Sequence, residues 1–307
     1  MKIPNFYSVI VPVYNGEKTV RLLYEKTADF FHSHNLKFEL IFVHDKGPDR
    51  SLDELINLQN ENNKTVKLIR LTKNFGQHNA TICGIANASG NFIITMDEDL
   101  QHNPFDIAKL INTQNDENYD VVYGKYDIRK HSKFRNLGSS LLKFLIQKGI
   151  PDIHKDYSSF RLIKNEIAQA LPLMQNSYTF MDGYISWITA HCGSCVVSHN
   201  ERIGGHSSYD TRKLIQHTIN IFVTFSNFPL KLLTKTSIFI FFINLAYTIY
   251  ILYRKLTLDD FATGYPSLII AIGFGVSLIM LSLGIIGEYL YRINLKTTKK
   301  PNYFFFD

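Results

Sequence analysis

Phe92-Ile93-Ile94-Thr95-Met96-Asp97-Glu98-Asp99-Leu100-Gln101-His102 is the stretch on which the fold turns. An apolar, β-branched run leads straight into three acids, the pattern of a buried strand that ends in a polar turn. The strand is predicted over Phe92 to Asp97. If the extended conformation persists, Asp97 and Asp99 share one face. Two carboxylates and the Gln101 amide oxygen then form a hard oxygen donor set suited to Mg2+ or Mn2+. Such an ion can also hold a diphosphate and stabilise it as a leaving group. Acidic turns after strands are common, so the motif takes its weight from what surrounds it.

Outward from this stretch, strands and helices alternate. Tyr7 to Val13, Phe38 to His44, Val66 to Leu71 and Asp120 to Lys125 have strand composition and are bounded by turn residues. Thr19 to His34, Ser51 to Asn62, His78 to Ala88 and Phe105 to Asn115 are predicted helices, and Ser51 with Glu54 has the spacing of a capping box. Regular alternation predicts an α/β fold with a mostly parallel sheet covered on both faces. Ligands of such sheets bind beyond the carboxyl ends of the strands, where the acidic turn lies.

The 307 residues suffice for one large domain plus an appendage, and the net charge of +6 suits anionic lipid or phosphorylated substrates. Nothing points to a nucleic-acid partner. Three cysteines, Cys83, Cys192 and Cys195, cannot build a disulfide framework, so a reducing compartment is expected. Cys192-x-x-Cys195, near His191 and His199, lacks the second pair a structural zinc site needs and is read as buried thiols. No signal peptide is expected at Met1 to Tyr7.

The last third differs in hydropathy. Thr236 to Tyr253 and Phe261 to Gly287 contain no charged residue, and each is long enough for a membrane span, which needs about 20 residues. Tyr247, Tyr250, Tyr253, Tyr289 and Tyr291 suit interfacial positions. The short Arg254 to Asp260 loop makes the spans a hairpin. Lys231, Lys235, Arg292, Lys296, Lys299 and Lys300 flank its outer ends, which predicts a cytoplasmic catalytic domain on an inner-membrane anchor. Arg212 to Leu233, with Pro229, is expected to lie on the membrane surface. The expected organisation is a catalytic domain (1–210), interfacial helices (211–235), two transmembrane helices (236–292) and a cytoplasmic tail (293–307).

Several motifs carry a family resemblance. Val9-Ile10-Val11-Pro12-Val13-Tyr14-Asn15 resembles the opening of glycosyltransferase family 2, which has the GT-A fold, and Asp97-x-Asp99 stands where that family has its DxD-type metal motif. Asn74-Phe75-Gly76-Gln77-His78-Asn79-Ala80, Ser159-Phe160-Arg161-Leu162 and Phe180-Met181-Asp182-Gly183 are similar to segments of its polyprenyl-phosphate glycosyltransferases. So are Arg202 followed by Gly205-x-Ser207-x-Tyr209, and Gly284-Ile285-Ile286-Gly287-Glu288-Tyr289.

The resemblance implies inverting, metal-dependent transfer of a sugar from a UDP-, dTDP- or GDP-linked donor to a polyprenyl phosphate. Pro12, Tyr14, Asn15, Asp45, Gln77, His78, Asp97 and Glu98 are then expected at the donor. Asp97, Asp99 and Gln101 are expected at Mg2+ or Mn2+, and Asp99, Arg161 and Arg202 at the reacting groups. Arg129, Lys133, Arg135, Arg161 and Arg202 are expected around the lipid phosphate, with Asp156 and Asp182 as acids able to orient the arginines. Relatives of this kind often self-associate, so a homo-oligomer is open.

Two departures stand out. The family's Asp-Asp-Gly-Ser is here His44-Asp45-Lys46-Gly47, and Ser158-Ser159 precedes Phe160 where many relatives carry an acid. The missing acid is no obstacle to chemistry. A phosphate monoester has a second pKa near 6 and arrives as a ready oxyanion, so it requires cationic positioning rather than a base. Two rival functions remain at this level. A processive polysaccharide synthase would carry Gln-x-x-Arg-Trp, a context that Trp187 lacks, and a non-catalytic membrane module would not need the acids and arginines.

Overall fold

The computed structural model describes residues 5–126, 150, 152–174, 178–198, 200 and 302–306, with isolated positions between 220 and 297. Eight strands form one sheet: β1 (Phe6–Val13), β2 (Lys37–His44), β3 (Val66–Leu71), β4 (Phe92–Thr95), β5 (Val121–Tyr126), β6 (Arg161–Lys164), β7 (Cys192–Val197) and β8 (Phe305–Phe306). Their order is β7-β5-β6-β4-β1-β2-β3-β8. The block β3-β2-β1-β4 is parallel throughout, whereas β6 runs antiparallel to both β4 and β5, and β8 antiparallel to β3.

The predicted α/β class and the first five strands and four helices are present, with ends shifted by a few residues. The helices are α1 (Val20–Ser33), α2 (Ser51–Glu61), α3 (Gln77–Ala86), α4 (Ile107–Glu117) and α5 (Met181–Ile188). Alternation along each strand divides the core. Val9, Val11, Val13, Leu40 and Phe42 pack with α1, α2 and α4 on one face. Ile10, Ile41, Val43, Ile69 and Leu71 pack with α3 and α5 on the other. Most of these side chains are fully buried. At about 1.5–3 kcal/mol each, this two-sided burial outweighs any local helix or strand preference. In α1, Val20, Leu23, Thr27, Phe30 and Phe31 make the buried stripe of a 3.6-residue period. Left-handed Asn35 follows it, and Asn118 ends α4 in the same way.

Two local expectations are corrected. Ser51 does not cap α2 with Glu54. Asp49 accepts from the Ser51 N–H and hydroxyl, and Glu54 pairs with Arg21, which also bridges to Glu61. Strand β4 ends at Thr95, so the three acids lie on a turn rather than on extended chain. Cys192 packs into the core on the α3 face and Cys195 into that on the α1 face. The sheet separates the two thiols, which excludes a shared zinc or a disulfide between them in this fold.

Among the described residues no helix is long and apolar enough to cross a membrane. Most of the expected hairpin and the interfacial segment lie outside the described residues. The isolated positions between 220 and 297 are helical, and large apolar side chains there, including Phe239, Phe242, Ile249, Ile279 and Leu290, are exposed.

Candidate active site

The strand order puts a switch point between β1 and β4. From β1 the chain steps to β2 and β3 on one side, then crosses to β4 on the other, so the loops leaving β1 and β4 diverge. Proline helps to open this gap. The Ile10 carbonyl accepts from Met96 N at 3.1 Å, the last bond between these strands. Two residues on, Pro12 faces the same side and has no N–H to extend the ladder.

The acids divide their work at this gap. Glu98 turns back to β1 and accepts from the N–H groups of Tyr14 and Asn15, at 3.0 Å each. Burial pushes its carboxyl up to about 7, although these two hydrogen bonds pull the other way. Asp97 accepts from the Gln77 side-chain amide and from Ser159 Oγ, the latter at 2.7 Å. Its own N–H donates to His102 Nδ1 at 3.3 Å. Asp99 Oδ1 accepts from Gln101 N at 3.1 Å, closing a short turn around left-handed Leu100. Burial raises the Tyr126 phenol, and Asp97 and Asp99 add to that rise. Both carboxylates therefore lie on the Tyr126 side, while Glu98 faces β1.

Two residues without an expected role brace this turn. His102 is buried and its ring stacks on Tyr126 and Phe160, with centroids at 5.6 and 5.0 Å. Asn200 donates from its backbone to the Gln101 carbonyl and from its side chain to that of Leu100. The position of His102 inside the acidic motif was the only signal in the sequence, and Asn200 gave none.

Three further loops wall the crevice. After β2, Asp45 N bonds the Val13 carbonyl, and Gly47 packs against Tyr14, where a Cβ would come within 1.7 Å of the carbonyl oxygen. Any side chain at Gly47 would push the two loops apart. Asp49 Oδ2 accepts from Glu17 N at 2.9 Å. His44 is buried, its Nε2 has no hydrogen-bond partner among the described residues, and burial lowers its pKa. The two Asp45 oxygens accept from Phe75 N at 2.7 Å and Gly76 N at 2.8 Å, which ties the loop after β3 to β2. Gly76 has φ +86°, a conformation open to glycine, and α3 starts at the next residue. His78, in the first turn of α3, sets its ring edge-on to Phe180 at 5.5 Å.

The structure thus brings Pro12, Tyr14, Asn15, Asp45, Gln77, His78, Asp97, Glu98, Asp99 and Gln101 to the carboxyl ends of four neighbouring parallel strands. Arg161 is different. It pairs with Thr95 across the β4–β6 ladder, is 3% exposed, and forms a buried ion pair with Asp182 beside the Tyr123 ring. Burial pushes the Asp182 carboxyl up and the Arg161 guanidinium pulls it back. A guanidinium so enclosed sits inside the sheet, two residues along the chain from Ser159, whose hydroxyl reaches Asp97. Asp182 meets the expectation that it orients an arginine. Asp156 accepts from Lys125 and Ser194. Arg129, Lys133, Arg135 and Arg202 lie outside the described residues.

The donor set fits a divalent cation carried in with its substrate. Among the described residues no three His, Cys, Asp or Glu side chains cluster as a metal cage. An ion here would have Asp97 and Asp99 as its carboxylate donors among the described residues, and magnesium-type sites on diphosphates use one or two of these plus phosphate oxygens and water.

A switch-point crevice lined by an acidic turn is the nucleotide-site layout of an α/β transferase, and sequence comparison agrees. The family model described as glycosyl transferase family 2 matches residues 8–173, and the chain belongs to that family. It is a glycosyltransferase. An uncharacterized glycosyltransferase of Bacillus subtilis (strain 168), YkcC, is 30% identical over 97% of this chain and 92% of its own. A bactoprenol glucosyl transferase of Shigella phage SfX is 26% identical over 96% of this chain and 97% of its own. Among solved structures, glucosyl-3-phosphoglycerate synthase from Mycobacterium tuberculosis, in complex with Mn2+, UDP-glucose and phosphoglyceric acid, matches with a TM-score of 0.50. That match has 14% identity and covers 71% of this chain and 77% of the other, a likeness of fold.

Proposed function

We propose that the chain transfers a sugar from a nucleotide-linked donor to a polyprenyl phosphate, with inversion at the anomeric carbon. One observation carries this reading: the end-to-end match to a bactoprenol glucosyl transferase, which includes the apolar last third. The exposed apolar side chains at helical positions between 220 and 297 support a lipid-facing anchor. With the basic residues flanking the outer ends of the hairpin, they favour an inner-membrane protein whose catalytic domain faces the cytoplasm.

In this reading the donor diphosphate lies over the β1–β4 gap, against Tyr14, Asn15 and the start of α3. Asp97 and Asp99, with Gln101 beside them, would hold Mg2+ or Mn2+. Bound there, the ion supplies positive charge that neutralises the departing diphosphate. Glu98 and Asp45 act one step back, fixing the backbone of the two loops that receive the nucleotide. An oxygen of the lipid phosphate, already ionised, bonds to the anomeric carbon as the bond to the nucleoside diphosphate breaks and its electron pair leaves with the diphosphate. Arg202, Arg129, Lys133 and Arg135 are the proposed cations for the lipid phosphate, and Arg161 holds the site together from within.

Purified protein in detergent, given undecaprenyl phosphate, MnCl2 and a panel of UDP-, GDP- and dTDP-sugars, should yield a lipid phosphate one sugar heavier by mass spectrometry. A long glycan, or donor turnover with no change in the lipid, would refute the acceptor assignment. Alkaline carbonate washing of membranes should leave the chain in the pellet; its release would refute the anchor.

A further inference from the structure

Within the expected tail, residues 302–306 pack on the catalytic domain. Phe305 and Phe306 pair with Leu71 and Arg70, and Thr72 donates from N at 3.0 Å and from Oγ1 at 3.3 Å to the Phe304 carbonyl. Asn302 Nδ2 donates to the Met174 carbonyl at 2.9 Å. Tyr303 and Phe305 pack into the core on the α3 face, where Phe75 also packs, while Phe304 and Phe306 point outward, 62% and 54% exposed.

The place of contact is informative. Strand β3 spans Val66–Leu71 and would otherwise be the sheet edge. If the tail only covered an exposed edge, pairing anywhere along it would serve. The contact instead falls on Arg70, Leu71 and Thr72, at the carboxyl end that feeds the loop into α3. That loop holds Phe75 and Gly76, bonded by Asp45, and the next residue, Gln77, reaches Asp97.

We infer that the C-terminal strand is a positioning element of the donor site. It anchors the start of the 72–77 loop so that Asp45 can hold the middle and Gln77 can meet Asp97 at the far end. Residues 236–292 precede this strand in the sequence, so the donor site is complete only once the chain beyond them has been made. The inference deepens the donor assignment proposed above and rests on it for its catalytic meaning, but its structural part stands apart from it.

The test uses the full chain, a version ending at residue 301, and Phe305→Ala, with Phe305→Leu as the conservative variant and outward-facing Phe304→Ala as control. Hydrogen exchange of the nucleotide-free protein comes first. Amides of residues 72–77 should exchange about tenfold faster in the shortened chain and in Phe305→Ala, with β1 and β2 unchanged, and Phe305→Leu should restore protection. Calorimetry with UDP in MnCl2 comes second, and its affinity should fall about tenfold in the same two variants. A lower melting temperature with unchanged exchange at 72–77 and unchanged UDP binding would mean that β8 merely covers an edge, and would overturn the inference. If exchange responds as expected but the full chain binds no UDP, the positioning role stands and the choice of nucleotide fails.

Discussion

Replacing Arg161 by methionine separates two roles for this residue. The sequence resemblance placed it at a lipid phosphate, whereas the structure buries it against Asp182. Methionine keeps most of the volume and leaves Asp182 buried with no guanidinium. The orphaned carboxyl relieves itself by taking up a proton. Measured from an ordinary value of about 3.9, that costs at most about 4 kcal/mol at pH 7 at 1.36 kcal/mol per unit, because burial already raises Asp182 in the native pair. The figure agrees with the roughly 3–5 kcal/mol lost when one partner of a buried pair is removed. In a domain of about 200 residues, where 1 kcal/mol moves the midpoint by about 2–4 °C, melting should fall by about 6–20 °C. Because the penalty is a protonation, the deficit against wild type should shrink as pH falls towards 5. The double variant Arg161→Met with Asp182→Leu should regain most of the loss. Differential scanning fluorimetry between pH 5 and 8 reads all three. A fall below about 2 °C, the size expected of a surface pair, together with a raised KM for the lipid phosphate, would refute the buried-pair argument.

Asp99→Ala should reduce transfer to background and abolish Mn2+-dependent UDP binding in calorimetry, with the melting temperature little changed, because Asp99 bonds within its own turn; normal turnover in EDTA would contradict the metal assignment. Glu98→Ala frees the Tyr14 and Asn15 N–H groups, each bonded to a carboxyl near its titration point and so contributing about 0.5–3 kcal/mol. It should weaken UDP binding through the β1 turn while leaving Mn2+ affinity in the absence of nucleotide unaltered, and a change in metal affinity alone would place Glu98 among the ligands instead.

Residues that act through local pattern were legible in the sequence. The β1 to β5 strands and α1 to α4 helices announced themselves by period, and Asp97 and Asp99 by their place after a strand. The strands that escaped notice carry no such period. Strand β6 is four residues long and begins with a buried arginine, β7 opens with Cys-Gly-Ser-Cys, and β8 has two residues whose strand character exists only through β3. Long-range partners were equally hidden. Glu98 meets a turn more than eighty residues earlier in the chain, and Arg161 on β6 meets an acid on α5. From sequence alone an arginine beside a motif reads as a phosphate ligand, because nothing local distinguishes an outward guanidinium from one enclosed by α5.

The site's acids also bear on why the proposed reaction needs a cation. Backbone amides at strand ends and helix starts are the usual uncharged means of holding a diphosphate. Here carboxylates already engage many of them. Glu98 takes the amides of Tyr14 and Asn15, Asp45 those of Phe75 and Gly76, and Asp49 that of Glu17. These bonds tie the ends of β1, β2, β3 and β4 into one frame and so fix the geometry in advance, which favours in-line attack. The same bonds engage amides that the proposed donor could otherwise use. In the proposed reaction a diphosphate entering this frame meets these acids, and a divalent ion held by Asp97 and Asp99 would balance its charge. The x of the Asp-x-Asp motif is therefore not a spacer: Glu98 holds the β1 turn on which the proposed donor pocket is built.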